Sequence, residues 1–232
     1  MLDVGQFLVF TTGGEWAIRG DSAGIITPLQ INAKQYSYNG SSDLAPLVVG
    51  NNALYVQARG AIVRDFTFDI AVDGYRGNDL TIFSAHLFEG HSIVDWAFQQ
   101  IPHSIVWAVR DDGKLLGLTY VREHEMWAWH RHDFSDGTIL NCTVIPEGDE
   151  DVLYLTVSRT VNSRAVVYIE RLHTRQVDAD SVEDSIFMDS ALSYDGWNTT
   201  AITMTISGGT NWTYDETLTL TASAGYFTSS YV

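Results

Sequence analysis

Four times along this chain an apolar strand pattern runs into a tight turn and returns as a second strand. The segments are FLVFTTGGEWAIRG (7–20), ALYVQARGAIVRDFTF (53–68), IVWAVRDDGKLLGLTY (105–120) and VLYLTVSRTVNSRAVVYIERL (152–172). Their turns fall at Gly13-Gly14, Arg59-Gly60, Asp112-Gly113 and Asn162-Ser163, so successive second turn residues lie 46, 53 and 50 positions apart. Gly-Gly and Asp-Gly suit a two-residue hairpin that demands positive φ; the other two pairs are weaker matches. In SIVWAV, Ile105, Trp107 and Val109 point one way and Val106 and Ala108 the other, so both faces of this strand are apolar. Such a sheet must be covered on both sides.

Units of about 40–50 residues with this patterning describe an all-β, β-propeller-like array of roughly four-stranded blades, with a β-sandwich as the rival. The third unit gives the fullest count, with candidate strands at Ile105–Arg110, Lys114–Val121, Met126–Arg131 and Thr138–Ile145. One inserted segment, NDLTIFSAHLF (78–88), predicts a short helix: Asn-Asp can cap it, and Leu80, Phe83 and Leu87 are spaced three and four apart. The texture changes near residues 180 to 195. Residues 1–180 read as the propeller or a part of one, and 181–232 as a linker and the beginning of a Thr/Ser-rich β module, with TAITMTIS and ETLTLTAS as alternating strands. The chain reads as a segment of a longer protein.

The chain has 29 acidic and 13 basic residues, a formal charge of −16. That balance argues against broad nucleic-acid binding, which needs a concentrated positive footprint. The acid clusters in PEGDED (146–151) and DADSVED (178–184) read as solvated turn and linker. A single cysteine, Cys142, excludes an internal disulfide framework or a Cys-rich zinc module. No signal peptide and no membrane-length apolar run is evident, so a soluble protein made in a reducing cytosol is expected.

Chemistry-bearing residues are plentiful but do not form a recognisable set. If EHEMWAWHRH is one strand, His124, His130 and His132 share a face opposite Trp127 and Trp129. His124 would then lie about 20 Å from His130, whereas His130 and His132, about 7 Å apart, could share a metal only with a third ligand. Cys142 sits in an apolar strand context that favours an unreactive thiol. Asp111 with Asp112, or Glu123 with Glu125, are carboxylate pairs by type, but a turn and a loop explain them. No nucleophile elbow, phosphate loop or dinucleotide loop occurs. Trp96, Trp107, Trp127 and Trp129 read as wedges between sheets, or alternatively as a sugar-binding platform. No catalytic, cofactor or metal residue is therefore assigned.

HLFEGHSIVDWAFQQIPHSIVWAVRDDGKLLGLTYVREHEMWAWHRHDFSDG (86–137) and the later hairpin at 152–172 resemble the tail nozzle, or packaged-DNA stabilisation, proteins of short-tailed bacteriophages and prophages. The resemblance extends upstream and covers most of residues 5 to 175. It implies a β-propeller virion protein that is structural and not an enzyme. Its partners would be other phage tail proteins and copies of itself in a homo-oligomeric ring in the full-length protein. DNA would pass nearby without specific binding, and an acidic lumen would repel its phosphates. The implied location is the virion, after synthesis in the bacterial host cytoplasm. DSALSYDGWNTTAITMTISGGTNWTYDETLTLTAS resembles the start of the small β domain that often follows. Two other readings stand beside this one: a carbohydrate-binding module for host-surface recognition, and a propeller glycoside hydrolase.

Overall fold

A computed structural model describes residues 2–3, 6–20, 25–59, 62–134 and 137–174, together with the backbone of three strands beyond residue 200. The chain divides into two units, Met1–Ser185 and Ile186–Val232. The DADSVED segment and the stretch from 180 to 195 lie outside the described residues.

The first unit is all-β and antiparallel. Its first sheet runs β1 (Leu2–Asp3), β2 (Phe7–Thr11), β3 (Gly14–Arg19) and β4 (Asn32–Ser37). The second runs β5 (Leu47–Val49), β6 (Asn52–Val56), β7 (Val63–Asp69) and β8 (Gly74–Arg76). The third runs β9 (Ile93–Gln99), β10 (Ile105–Arg110), β11 (Leu115–Val121) and β12 (Met126–His132). The fourth holds β13 (Gly137–Glu147), β14 (Glu150–Val161) and β15 (Arg164–Arg171). In every sheet the spatial order of strands follows the chain. The second unit contributes one three-stranded sheet, β16 (Ile202–Ile206), β17 (Glu216–Ser223) and β18 (Tyr226–Ser230).

Each hairpin read from the sequence forms the second and third strands of its sheet: β2–β3, β6–β7, β10–β11 and β14–β15. The turns differ in detail. In the first hairpin Thr11 pairs with Gly14, so the two-residue turn is Thr12-Gly13, one position earlier than the Gly-Gly pair suggests. At Asn162-Ser163, both residues take positive φ (50° and 62°) between the paired Val161 and Arg164. This weaker-looking sequence match is thus the turn with positive φ at both positions. Gly113 has φ +78°, and its carbonyl accepts from Ile139 N–H of β13 at 3.1 Å. A Cβ there would meet Thr138 and the Ile139 backbone, so glycine lets this turn lie against the fourth sheet.

The expectation of sheets covered on both faces is met at β6 and β10, where every residue is buried. Period-two alternation splits each strand between two cores. Ala53 and Tyr55 join Leu8 and Ala17 of the first sheet, while Leu54 and Val56 turn toward the third. Val106 and Ala108 share that second core. Ile105, Trp107 and Val109 face Ile139, Leu153, Leu155 and Val157 of the fourth sheet. Three cores therefore link four sheets in sequence.

Two element boundaries depart from expectation. The third sheet begins with β9, which reads in the sequence as a lead-in, and Thr138–Ile145 belongs to the fourth sheet as part of β13. The expected helix over 78–88 is a 3-10 segment at Ile82–Leu87, broken by non-helical backbone at Ser84. Leu80 and Leu87 are buried as the spacing implies, but Phe83 is 84% exposed. Thr81, and not the Asn-Asp pair, is the N-cap, and Asp79 Oδ1 holds it in place by accepting from Thr81 N–H and Oγ1 at 2.8 and 2.6 Å.

Candidate functional site

Where the β5–β6 turn approaches the ends of β9 and β11, the second and third sheets part to leave a cleft of about 830 Å³. Gly50 supplies the positive φ (61°) that this short turn requires, which presents Asn51 at the mouth. Thr67 donates to Asn52 Oδ1 at 2.6 Å on one wall. Phe98, Gln100 and Ser104 form the other wall, with Tyr120, Val121 and Arg122 completing the lining.

A buried polar junction lies beside the cleft. Asp65 is fully buried and accepts from Arg122 Nη1 at 2.7 Å, Tyr120 Oη at 3.2 Å and Asn78 N–H at 2.6 Å. The charge of Arg122 is thereby matched by a carboxylate with no access to water. Burial, followed by the charge of Asp65, pushes the Tyr120 hydroxyl well above its ordinary pKa, so it remains a donor. Glu15 is a second fully buried carboxylate, in the first core; among the described residues neither of its oxygens has a hydrogen-bond partner. Burial and then the charge of Glu15 push Tyr55 up to about 12. Sequence patterning singles out neither Asp65 nor Glu15, because each occupies an inward strand position that carries an apolar residue elsewhere.

A separate cluster fastens the β10–β11 turn to the start of β9. Asp111 accepts from Ser92 N–H and Oγ at 3.0 Å, and its Oδ1 lies 2.8 Å from His91 Nδ1. Asp112 pairs with Arg110 and lies 3.8 Å from His91 Nε2. The hydrogen bond from Arg110 holds the Asp112 carboxyl down at about 2. His91, Asp111 and Asp112 offer ligand atoms within 4.8 Å of one another, which a cation could span. Here Arg110, His91 and Ser92 engage both carboxylates, so the pair closes the β10–β11 turn.

The other sequence candidates scatter. His124 is not in a strand: it ends a 3-10 turn at Arg122–His124, which Glu125 leaves in the left-handed region (φ 50°). His130 and His132 do share a face, with ring centroids 5.0 Å apart, and both rings pack on Trp107 at 5.9 and 5.2 Å. No third metal ligand joins them among the described residues. Burial, then the charge of Asp95, pushes the Cys142 thiol up to about 12, which makes it inert in the native state. Glu125 is exposed on its loop.

Of the four tryptophans singled out in the sequence, two are buried between sheets and two are half-buried against the second core. Trp107 is fully buried and donates to Gln99 Oε1 at 2.8 Å. Trp96 is buried and donates to the Ala45 carbonyl, and half-buried Trp129 donates to that of Leu80. Trp127 packs against the second core. Of the acidic PEGDED stretch, Asp149 in the β13–β14 turn is exposed as expected, but Asp151, at the start of β14, is engaged. Its Oδ2 accepts from Gln100 and Ile101 N–H at 2.9 and 3.0 Å, and its carbonyl accepts from Gln99 Nε2 at 2.6 Å. No helix among the described residues is long and apolar enough to cross a membrane. No protein-family model matches the chain, and no curated protein matches it.

Proposed function

We propose that the chain is a structural component of a tailed-phage virion, placed at the tail nozzle around the DNA exit channel and acting through protein–protein assembly. Its four sheets are blades of a propeller-like array. The observation that carries this reading is the sequence of antiparallel sheets, each following the chain and each sharing a core only with its neighbours. Architectures of this kind are scaffolds first. The use of polar residues agrees: the Asp65–Arg122 and Asp111–His91 contacts fasten one strand or sheet to another.

Two surface properties favour assembly around DNA. Leu29 and Ile70, in the β3–β4 and β7–β8 connections, are 96% and 87% exposed, which suits contact with another subunit. The formal charge of −16 disfavours adhesion to phosphates, so DNA would slide past.

Electron microscopy of the purified chain and of any longer parent protein tests the reading. Rings with an open centre are the expected result; compact single particles that never enter a reconstituted tail would refute it. Charge reversal of the lumen is best read at Asp149, because Asp151 holds a neighbouring loop. If ejection of DNA is unchanged in the Asp149→Lys particle, that turn does not line the channel.

A further inference from the structure

We propose that the cleft between the second and third sheets binds a neutral saccharide. Its volume, about 830 Å³, is that of a small-molecule site and accommodates one or a few sugar rings. The lining combines amide and hydroxyl side chains with three valines and two aromatic residues, Phe98 and Tyr120, and the Tyr120 hydroxyl is already bonded to Asp65. Sugar hydroxyls both donate and accept, and the amides of Asn51 and Gln100 do the same. Both amides stand exposed, and neither has a side-chain hydrogen bond among the described residues. Phe98 offers an apolar surface against which the C–H face of a sugar ring can lie.

Charge selects among ligands. Arg122 is the cation in the lining, and its guanidinium is already paired with buried Asp65. The cleft thus has no uncompensated positive charge to hold a sialylated, sulfated or phosphorylated ligand, and the acidic chain around it repels one. The site does not depend on the assembly reading above, and it does not use the tryptophans.

The test is a screen of the labelled full chain on an array of neutral and acidic oligosaccharides, followed by calorimetric titration of the strongest neutral hit. A neutral hit is expected, with binding weakened about tenfold by Phe98→Ala and clearly weakened by Asn51→Ala and by Gln100→Ala. Because Phe98 also packs against the second core, the two amide variants, which lie on exposed turns and should melt like the parent, are decisive. Absence of any neutral hit, hits confined to acidic glycans, or a neutral hit whose affinity is unchanged in both amide variants overturns the proposal. Capture of peptides in place of glycans at the same cleft also overturns it.

Discussion

The imidazole of His130 occupies the space that a side chain at Gly117 would fill. The two residues are directly opposed on β12 and β11, and a Cβ at Gly117 would lie 2.2 Å from His130 Nε2. The missing side chain lets the ring settle toward Trp107. Gly117→Ala should therefore destabilise the fold by about 1–3 kcal/mol through overpacking. Urea unfolding would show it, and the Gly117→Ala/His130→Ala double variant should lose less stability than the sum of the two single losses.

Asp65 joins strands of two sheets through one carboxylate. Asp65→Ala leaves the Tyr120 hydroxyl and a half-exposed Arg122 without their partner, at a cost of about 3 kcal/mol. Tyr120→Phe removes one neutral donor and should cost about 1 kcal/mol. Chemical denaturation of the two variants should preserve that ranking.

The Asp112 pKa, about 2 in the folded chain, lies below the ordinary carboxylate value, chiefly through Arg110. A depressed folded pKa gives stability that is present above about pH 4 and lost as pH falls toward 2. Asp112→Asn should be less stable than the parent at neutral pH, and the two should converge over that acid window. Thermal melting across pH 2 to 6 reads the difference; parallel curves would show that the pairing with Arg110 contributes nothing.

Two nearby acids, Asp149 in the β13–β14 turn and Asp151 at the start of β14, should respond very differently. Asp151→Ala strips two backbone N–H groups of their acceptor and should cost about 1–2 kcal/mol. Asp149→Lys, on an exposed position, should change stability by no more than about 0.5 kcal/mol. Calorimetry of the two variants is the check.

The inner hairpins were legible in the sequence because turn chemistry and two-sided apolar strands are local signals. Four outer strands, β4, β5, β8 and β9, were not. β5 and β8 are three residues each, β4 is largely exposed, and β9 interrupts its apolar run with Asp95, so none has a period long enough to count. The helical spacing of Leu80 and Leu87 did report burial, but spacing cannot reveal the backbone break at Ser84. The faces of β12 were readable from alternation and its start at Met126 was read correctly, but nothing in the sequence announces the left-handed backbone at Glu125 just before it. The cleft was invisible for a different reason. Asn51 comes from the β5–β6 turn, Phe98 from β9 and Arg122 from the turn after β11, and only the stacking of two sheets brings them together.

The order of the cores has a consequence for how the chain can fold while it is being made. Leu8, Ala17, Ala53, Tyr55, Phe66 and Tyr75 all precede residue 80, so the first core can close before the third sheet leaves the ribosome. Each later sheet then docks on a finished surface, without waiting for the carboxyl-terminal end. Translation pauses between sheets would leave one apolar face open at a time, and that face, more than any finished contact, is where a chaperone would be needed.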